Sequence, residues 1–335
     1  MSKLRSKRPR RSNDSLKYVA FRLVFLCGLC LLLAFGLYFF AGHLNDSRSG
    51  MVTLTALFSI PYLIGVVVAY FTEIWRTGRA LMSSLFVLVM VHIIGGLVLR
   101  EGVICIAMVA IIWYPCVLLG AATVSFLFNR YDVGRLNSTP LLLLPIMFLM
   151  MDATMPITTQ SHRVVREVII NASAETVWSN LHNIRDITET DGRWNITQDI
   201  LNIPRPVAAV THVRGEADVR TNVWAKSIAF EEHITQTVIN NRLHWRFIFP
   251  DDSIKHKTDR HLDPDSHYFT IETGGFDLEA IGENKTRLKL HTQYRIATPV
   301  NGYGALWGEF LLGDIQNNVL SIIQTRSEAL KAAGA

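Results

Sequence analysis

The second half of this chain has no cysteine. All four, Cys27, Cys30, Cys105 and Cys116, lie in apolar runs within the first 116 of 335 residues. A disulfide-stapled scaffold is therefore excluded for the C-terminal half, although a cysteine-free domain is at home on either side of a membrane. Cys27 and Cys30 have the CxxC spacing of redox motifs. A reactive thiolate needs a polar, electropositive setting, and these two sit among Leu and Phe, so they read as small apolar helix residues. Charge is scarce as well, at 18% of residues against 50% hydrophobic. Several chemical signatures are missing: GxSxG, HExxH, an EF-hand loop, a phosphate-binding glycine loop and a dinucleotide fingerprint. No catalytic residue, metal ligand set or cofactor is expected from motifs.

The residues that are present are unevenly spread. Long apolar runs lie before residue 157, and most charge lies after 160 or before 18. Length also favours about two domains. The formal net charge of +5 owes much to the N-terminal tail, residues 1–17, with Lys3, Arg5, Lys7, Arg8, Arg10, Arg11 and Lys17. Beside an apolar run, such a tail sets membrane orientation and touches anionic headgroups. It is not read as a nucleic-acid site.

A membrane-crossing helix needs about 20 mostly apolar residues. Residues 18–157 supply five candidates, at about 18–42, 51–71, 80–99, 102–128 and 140–157, with Pro61 a kink in the second. The basic tail, Arg76, Arg79, Arg130 and Arg135 fall on one side of this set, and Arg48 and Arg100 on the other. The positive-inside rule then places the N-terminus in the cytoplasm. The fifth segment, PLLLLPIMFLMMDATMPI, has only about 11 unbroken apolar residues and carries Pro145 and Asp152. As a short span it sends the rest of the chain outside the cytoplasm; as an interfacial element it leaves that part inside. Ionisable groups in the apolar segments are few: Arg22, His92 and Asp152. They form no relay of the transporter kind.

Residues 158–335 read as water-soluble. Ser161 to Ile170 alternates as a strand with Val164, Val168 and Ile170 inward. Ser173 is a helix N-cap followed by Glu175 in the first turn, and Val177, Trp178 and Leu181 follow at helical spacing. After a polar, irregular stretch, period-two alternation runs to about Ile296. In the last two strands, pairing Phe276 with Leu290 and Leu278 with Leu288 also sets Asp277 opposite Lys289 and Glu279 opposite Arg287. One register satisfies both faces. A helix over about 303–330 then carries the stripe Trp307, Leu311, Ile315, Val319, Ile322 and Ile323. It is the available cover for a sheet with one apolar face.

The order of strand, INAS turn, Val-Trp helix, antiparallel sheet and long terminal helix resembles the START/Bet v 1-like (SRPBCC, polyketide cyclase-like) superfamily over about residues 161–331. Trp194, Pro204-Arg-Pro206, the Arg214-Gly to Val219-Arg220 stretch, Thr286-Arg-Leu288, Tyr294-Arg295 and Trp307-Gly-Glu309 are similar to a bacterial group in which membrane spans precede such a domain. The resemblance implies a multi-span α-helical membrane region followed by an α+β helix-grip domain with a curved antiparallel sheet. It also implies a bacterial inner-membrane location and a space between sheet and last helix for a hydrophobic ligand. Trp224, Phe230, Trp245, Phe247, Phe276, Tyr294, Trp307 and Leu311 are the expected lining.

Two polar clusters compete for chemistry. The stretch Asp259 to His267 alternates Asp and His, yet matches no standard metal spacing, and Pro264 marks it as a turn. In Glu231-Glu232-His233, strand alternation puts Glu231 and His233 on one face and Glu232 on the other. The expected function is a membrane-tethered binding or transfer module for a lipid or other hydrophobic small molecule. The alternatives are a cyclase- or hydrolase-like enzyme and an interaction domain without ligand. The expected partners are membrane lipid and a hydrophobic small molecule, not nucleic acid.

Overall fold

The structure, a computed structural model, describes residues 53–71, 77–99, 102–130, 139–188, 190–214, 217–251, 253–258 and 261–334, together with Phe25, Gly28, Leu29, Leu32 and Gly36. The basic tail, most of the first apolar segment with Arg22, Cys27 and Cys30, the Arg100–Glu101 link, and Arg48, Arg76, Arg135, Asp259 and Arg260 lie outside the described residues. The chain divides into two compact units, residues 1–99 with 110–153, and residues 100–109 with 154–335.

The first unit is helical. Helix α1 (Ile60–Phe71) is preceded by one π-helical turn, Thr55–Ser59. That turn has a local cause in Pro61, which lacks an N–H and crowds the carbonyl four residues back. The expected kink at Pro61 thus takes the form of a wider turn. Helix α2 (Thr77–Leu99) and helix α3 (Val103–Arg130) follow. Within them, Gly78–Leu97 and Val103–Leu127 are long and apolar enough to cross a membrane. Helix α4 (Thr139–Thr154) is 16 residues long and ends three residues before the expected boundary at 157.

Close packing in this unit rests on two glycines. A Cβ on Gly65 of α1 would stand 2.0 Å from the Val117 carbonyl oxygen, and one on Gly120 of α3 would stand 2.1 Å from the Tyr62 carbonyl oxygen. The backbones approach because both side chains are absent, as small residues allow between closely packed helices. Asp152 has a structural task. Its Oδ1 accepts from the Leu54 amide and its Oδ2 from the Thr55 amide, both at 2.8 Å. It therefore satisfies amides that the first helical turn leaves bare. His92 donates from Nδ1 to the Leu88 carbonyl at 2.9 Å and lies against Trp113 and Tyr114. It is a packed helix residue.

The second unit is built on one curved, all-antiparallel sheet of eight strands, in the order β1-β8-β7-β6-β5-β4-β3-β2. The strands are β1 (Gln160–Ile170), β2 (Asn183–Ile184), β3 (Pro206–Arg214), β4 (Ala217–Trp224), β5 (Ile228–Val238), β6 (Arg242–Ile248), β7 (Phe269–Gly282) and β8 (Lys285–Ile296). Helix α5 (Ala174–His182) follows β1. The short helices α6 (Ile196–Asp199) and α7 (Ser253–Lys257) lie in connections, and helix α8 (Asn301–Gly334) ends the fold. Ser173 caps α5, its side chain accepting from the Thr176 amide at 3.2 Å. The β7–β8 register pairs Phe276 with Leu290, Leu278 with Leu288, Asp277 with Lys289 and Glu279 with Arg287.

Helix α8 runs along β1 and β8, and α5 packs beneath it. The core between them joins Ile170, Val177 and Leu181 to Leu243, Trp245, Phe276, Leu288, Leu320 and Ile323. Its burial is the main source of stability, at roughly 25 cal/mol per Å² of apolar surface. The segment between α5 and β3 is held to α8 by polar groups. Asn318, fully buried, donates to Gln198 Oε1 at 2.8 Å and accepts from the Arg193 amide at 2.9 Å. Asp314 accepts from the Thr197 amide and hydroxyl. Buried polar groups need such partners.

The charges on the outer face of β7 and β8 do not all pair straight across. Asp277 stands opposite Lys289 in register, but its carboxylate turns to His244 and Arg242. The Lys289 ammonium lies 3.8 Å from Glu167 instead. His291 lies on the outer face of β8, as alternation requires, and is buried there. Gly275 explains both: it stands opposite both His244 and His291 and has no side chain to keep the rings apart. The Arg287–Glu279 pair forms as expected, at 2.8 Å.

Candidate functional site

The eight expected lining residues fall into three groups. Trp245 and Phe276, at 2% and 3% exposure, belong to the closed core under α5 and α8, and Phe247 packs on its edge. Tyr294 closes a second cluster with Val164, Ile296, Phe269, Ala305 and Leu312. Its hydroxyl donates to the Ala305 carbonyl at 3.3 Å and would be struck by any side chain at position 308. Burial, with Glu309 nearby, pushes its phenol up to about 12. This accounts for Trp307-Gly-Glu309: Gly308 makes room for Tyr294, and Glu309 pairs with Arg166 at 2.7 Å. Trp245, Phe276 and Tyr294 are thus packed core residues.

The remaining residues meet elsewhere. Trp224, Trp307 and Leu311 share a cluster with Leu201, Ile203, Leu262 and Ile315. Phe230 connects this cluster to the sheet, its ring centre lying 5.6 Å from Trp224, 6.0 Å from Phe247 and 5.8 Å from Phe249. Phe247 and Phe249 stack at 6.2 Å. Because residues two apart in a strand share a face, this aromatic row continues along the inner side of β4, β5 and β6. Trp224, Phe247 and Phe249 are half-buried. Phe249 belongs to the site by its spacing from Phe247 and was absent from the expected lining.

The rim carries backbone strain. Asn202, Lys226 and Ser227 have φ of 64°, 61° and 59°. Such left-handed backbones cost about 1 kcal/mol or more each for non-glycine residues and persist where surrounding contacts enforce them. Here the Lys226 ammonium donates to the Asn202 carbonyl and side-chain oxygens, at 3.1 and 2.8 Å. That bond ties the turn after Trp224 to the segment bearing Leu201 and Ile203.

Charge lies on the same inner face. Arg220 donates from Nε to Glu232 Oε2 at 2.5 Å and from Nη1 to the Leu181 carbonyl at 2.6 Å. Its guanidinium lies 4.6 Å from the centre of the Trp245 ring. Both members of the pair are buried. Burial pushes the Glu232 carboxyl above the usual carboxylate range, against the pull of Arg220. Glu231 and His233 face the other way, where Glu231 bonds His233 and Arg214, each at 2.9 Å. Strand alternation revealed this split, but it could not supply Arg220 as the partner.

A third arrangement occupies the outer face. Asp277 Oδ1 accepts from His244 Nε2 at 2.9 Å and from Arg242 Nε at 3.2 Å, while Asp277 Oδ2 lies 3.5 Å from His291 Nδ1. The two imidazoles meet edge to face at 4.8 Å. Burial, then the charges of Arg163 and His244, push the His291 imidazole down to about 4. The Asp263–His267 stretch forms a turn, with the Asp265 amide on Asp263 Oδ1 and Ser266 on the Asp263 carbonyl.

No protein-family model matches the chain, and no curated protein matches it. Among solved structures, similarity is found to the Zhui aromatase/cyclase from Streptomyces sp. R1128, at 13% identity and TM-score 0.33, over 52% of this chain and 99% of that one. A norcoclaurine synthase from Thalictrum flavum is similar at 12% identity and TM-score 0.33, over 52% and 98%. A START superfamily protein from Mycobacterium smegmatis is similar at 18% identity and TM-score 0.33, over 50% and 99%.

Proposed function

We propose that the second unit binds a hydrophobic small molecule, of the size of a lipid or isoprenoid, against the aromatic row of β4–β6. The observation that carries this reading is that Trp224, Phe247 and Phe249 lie half-buried on the inner side of a sheet. Small-molecule sites are lined in this way, by apolar and aromatic side chains with a few placed polar groups. Phe230 forms the floor, and Trp307 and Leu311 form the helix wall. Trp245, Phe276 and Tyr294 support the floor from the packed core. The strained turn at Lys226 and Ser227 is the natural place for the rim to yield.

The same reading gives the apolar helices a purpose. A module tethered to a bilayer works at a raised effective concentration of its lipid source without any new contact. Residues 1–17 are the basic cytoplasmic tail in this scheme, 18–157 the membrane region and 158–335 the binding domain. The host membrane is a bacterial inner membrane, and the binding domain lies on its outer side. An alkaline phosphatase fused to the C-terminus is active if that side is right; a stable, inactive fusion reverses the placement.

Glu232 favours a second reading. A buried carboxyl with a raised proton affinity on the inner face is suited to proton transfer in a cyclase-type reaction. Arg220 argues against it, because it already holds the carboxylate.

The test is native mass spectrometry of the full chain released from detergent, with Phe230→Ala and Trp307→Ala variants. A discrete co-purifying mass that both variants lose supports binding. A ligand-free chain that takes up nothing from membrane extract ends the proposal. If the mass is retained but converted on incubation, and Glu232→Gln stops the conversion, the enzymatic reading replaces it.

A further inference from the structure

We infer that His244, Asp277 and His291 form a site for a transition-metal cation on the outer face of the sheet, separate from the aromatic row. The three ligands come from β6, β7 and β8. Their donor atoms all lie within 4.8 Å of one another. Asp277 stands between the imidazoles, one carboxylate oxygen toward each, at 2.9 and 3.5 Å. Two histidines with one carboxylate are a recurrent ligand set for zinc and its neighbours.

Two observations point beyond a surface ion network. The first is His291. Its side chain is only 10% exposed, and its Nδ1 is buried without a hydrogen bond. The contact with Asp277 is too long to serve as one. A buried polar atom left without a hydrogen bond is destabilising, and a metal bond from Nδ1 removes that penalty. The second is Gly275. A Cβ there would stand 2.2 Å from His244 Cδ2 and 2.6 Å from His291 Cε1. Only glycine lets two imidazoles converge in one cross-strand row.

The geometry also states what must move. Zinc–nitrogen bonds of about 2.0–2.1 Å place tetrahedral ligand atoms about 3.3 Å apart. The 3.5 Å between His291 Nδ1 and Asp277 Oδ2 is already close to that value. His244 Nε2, now bonded to Oδ1, must tilt toward Oδ2 and the His291 nitrogen to complete the set. Arg242 is the competing cation. It holds Oδ1, which leaves Oδ2 for the metal, and the nearby guanidiniums of Arg242 and Arg163 penalise any ion held by charge alone. The site therefore selects ions that bond strongly to imidazole, Zn²⁺, Ni²⁺ or Cu²⁺, over Mg²⁺ and Ca²⁺, which require oxygen ligands.

The experiment uses the full chain in detergent, purified without a polyhistidine tag and stripped with chelator. Zn²⁺ is titrated against a competing indicator, and Co²⁺ is added separately to read its visible ligand-field absorption. The expected result is one Zn²⁺ per chain and a Co²⁺ spectrum of nitrogen and oxygen ligation. His244→Gln and Asp277→Asn should each weaken Zn²⁺ at least tenfold and abolish the Co²⁺ band, and Mg²⁺ should not compete. His244 is half-buried, so His244→Gln spares the core if His291 variants fail to fold. Absence of stoichiometric uptake overturns the site. So does uptake that is unchanged in His244→Gln and Asp277→Asn, which would mean adventitious binding to other histidines.

Discussion

Arg220 and Glu232 meet at 2.5 Å on adjacent strands, and the same guanidinium reaches the carbonyl of Leu181 near the end of α5. One cation thus neutralises a buried acid and completes a helix terminus. Removing one member strands the other. Arg220→Met is expected to lower unfolding free energy by about 3–5 kcal/mol. Adding Glu232→Leu to it should recover a large part of the loss, because the uncompensated charge is gone. Denaturant titration of the four proteins of this cycle measures both effects.

Asp199 gives the segment between α5 and β3 a dependence on pH. The Asn195 amide, and then Arg205, hold its carboxyl below the usual aspartate range. A depressed folded value means the contribution to stability is present above the unfolded value of about 3.9 and is lost as pH falls through the folded one. Hydrogen exchange in residues 190–205 should therefore accelerate as pH drops below about 4, after correction for the intrinsic rate. Asp199→Asn should show faster exchange already at neutral pH, with little further change on acidification.

Ser227 holds a left-handed backbone without need of its side chain's bulk. Ser227→Gly removes that strain, while glycine's larger unfolded-state entropy returns part of the gain. A net stabilisation of a few tenths to about 1 kcal/mol is expected in thermal melts. If the turn yields during ligand entry, the same variant should bind faster in stopped-flow fluorescence.

Gly65 and Gly120 permit backbone contact between α1 and α3. Replacing either with Leu forces the helices apart by the width of a side chain. The full chain should then lose thermal stability in detergent, read from tryptophan emission at Trp113, whereas Gly95→Leu, at a position facing open space, should not.

Much of the second unit was legible because period and register leave few choices. Alternation fixed the inner faces of β1, β6, β7 and β8, Ser173 announced α5, and the paired apolar and charged positions of β7 and β8 admitted a single register. Burial depth was not legible. Trp245 and Trp224 are alike in a strand pattern, yet one lies under α5 and α8 and the other at the rim, because depth depends on where α8 crosses the sheet. Asn318 and Gln316 carried no local signal, since their partners Gln198 and Thr292 are distant in the chain. Asp277 was matched with Lys289 because pairing rules count the residue directly opposite. The vacancy at Gly275 instead brings in His244 from the neighbouring strand. The cluster it forms has ligands 33 and 14 residues apart, outside any local motif. Asp152 was read as one of a few ionisable groups in the apolar segments, because its role as a cap is visible only beside Leu54.

That cap has a consequence for synthesis. Asp152 follows Leu54 by 98 residues, so the Leu54 and Thr55 amides at the turn before α1 leave the ribosome well before the carboxylate that will hold them. At about 5–20 residues per second, the delay is roughly 5 to 20 s. During it, those amides must stay hydrated or borrow another acceptor, since a buried amide without a partner is costly. The turn before α1 that bears them can settle only once α4 has been made. The last helix of this unit thus seals the earlier one, and a chain interrupted before residue 152 is left with those amides uncapped.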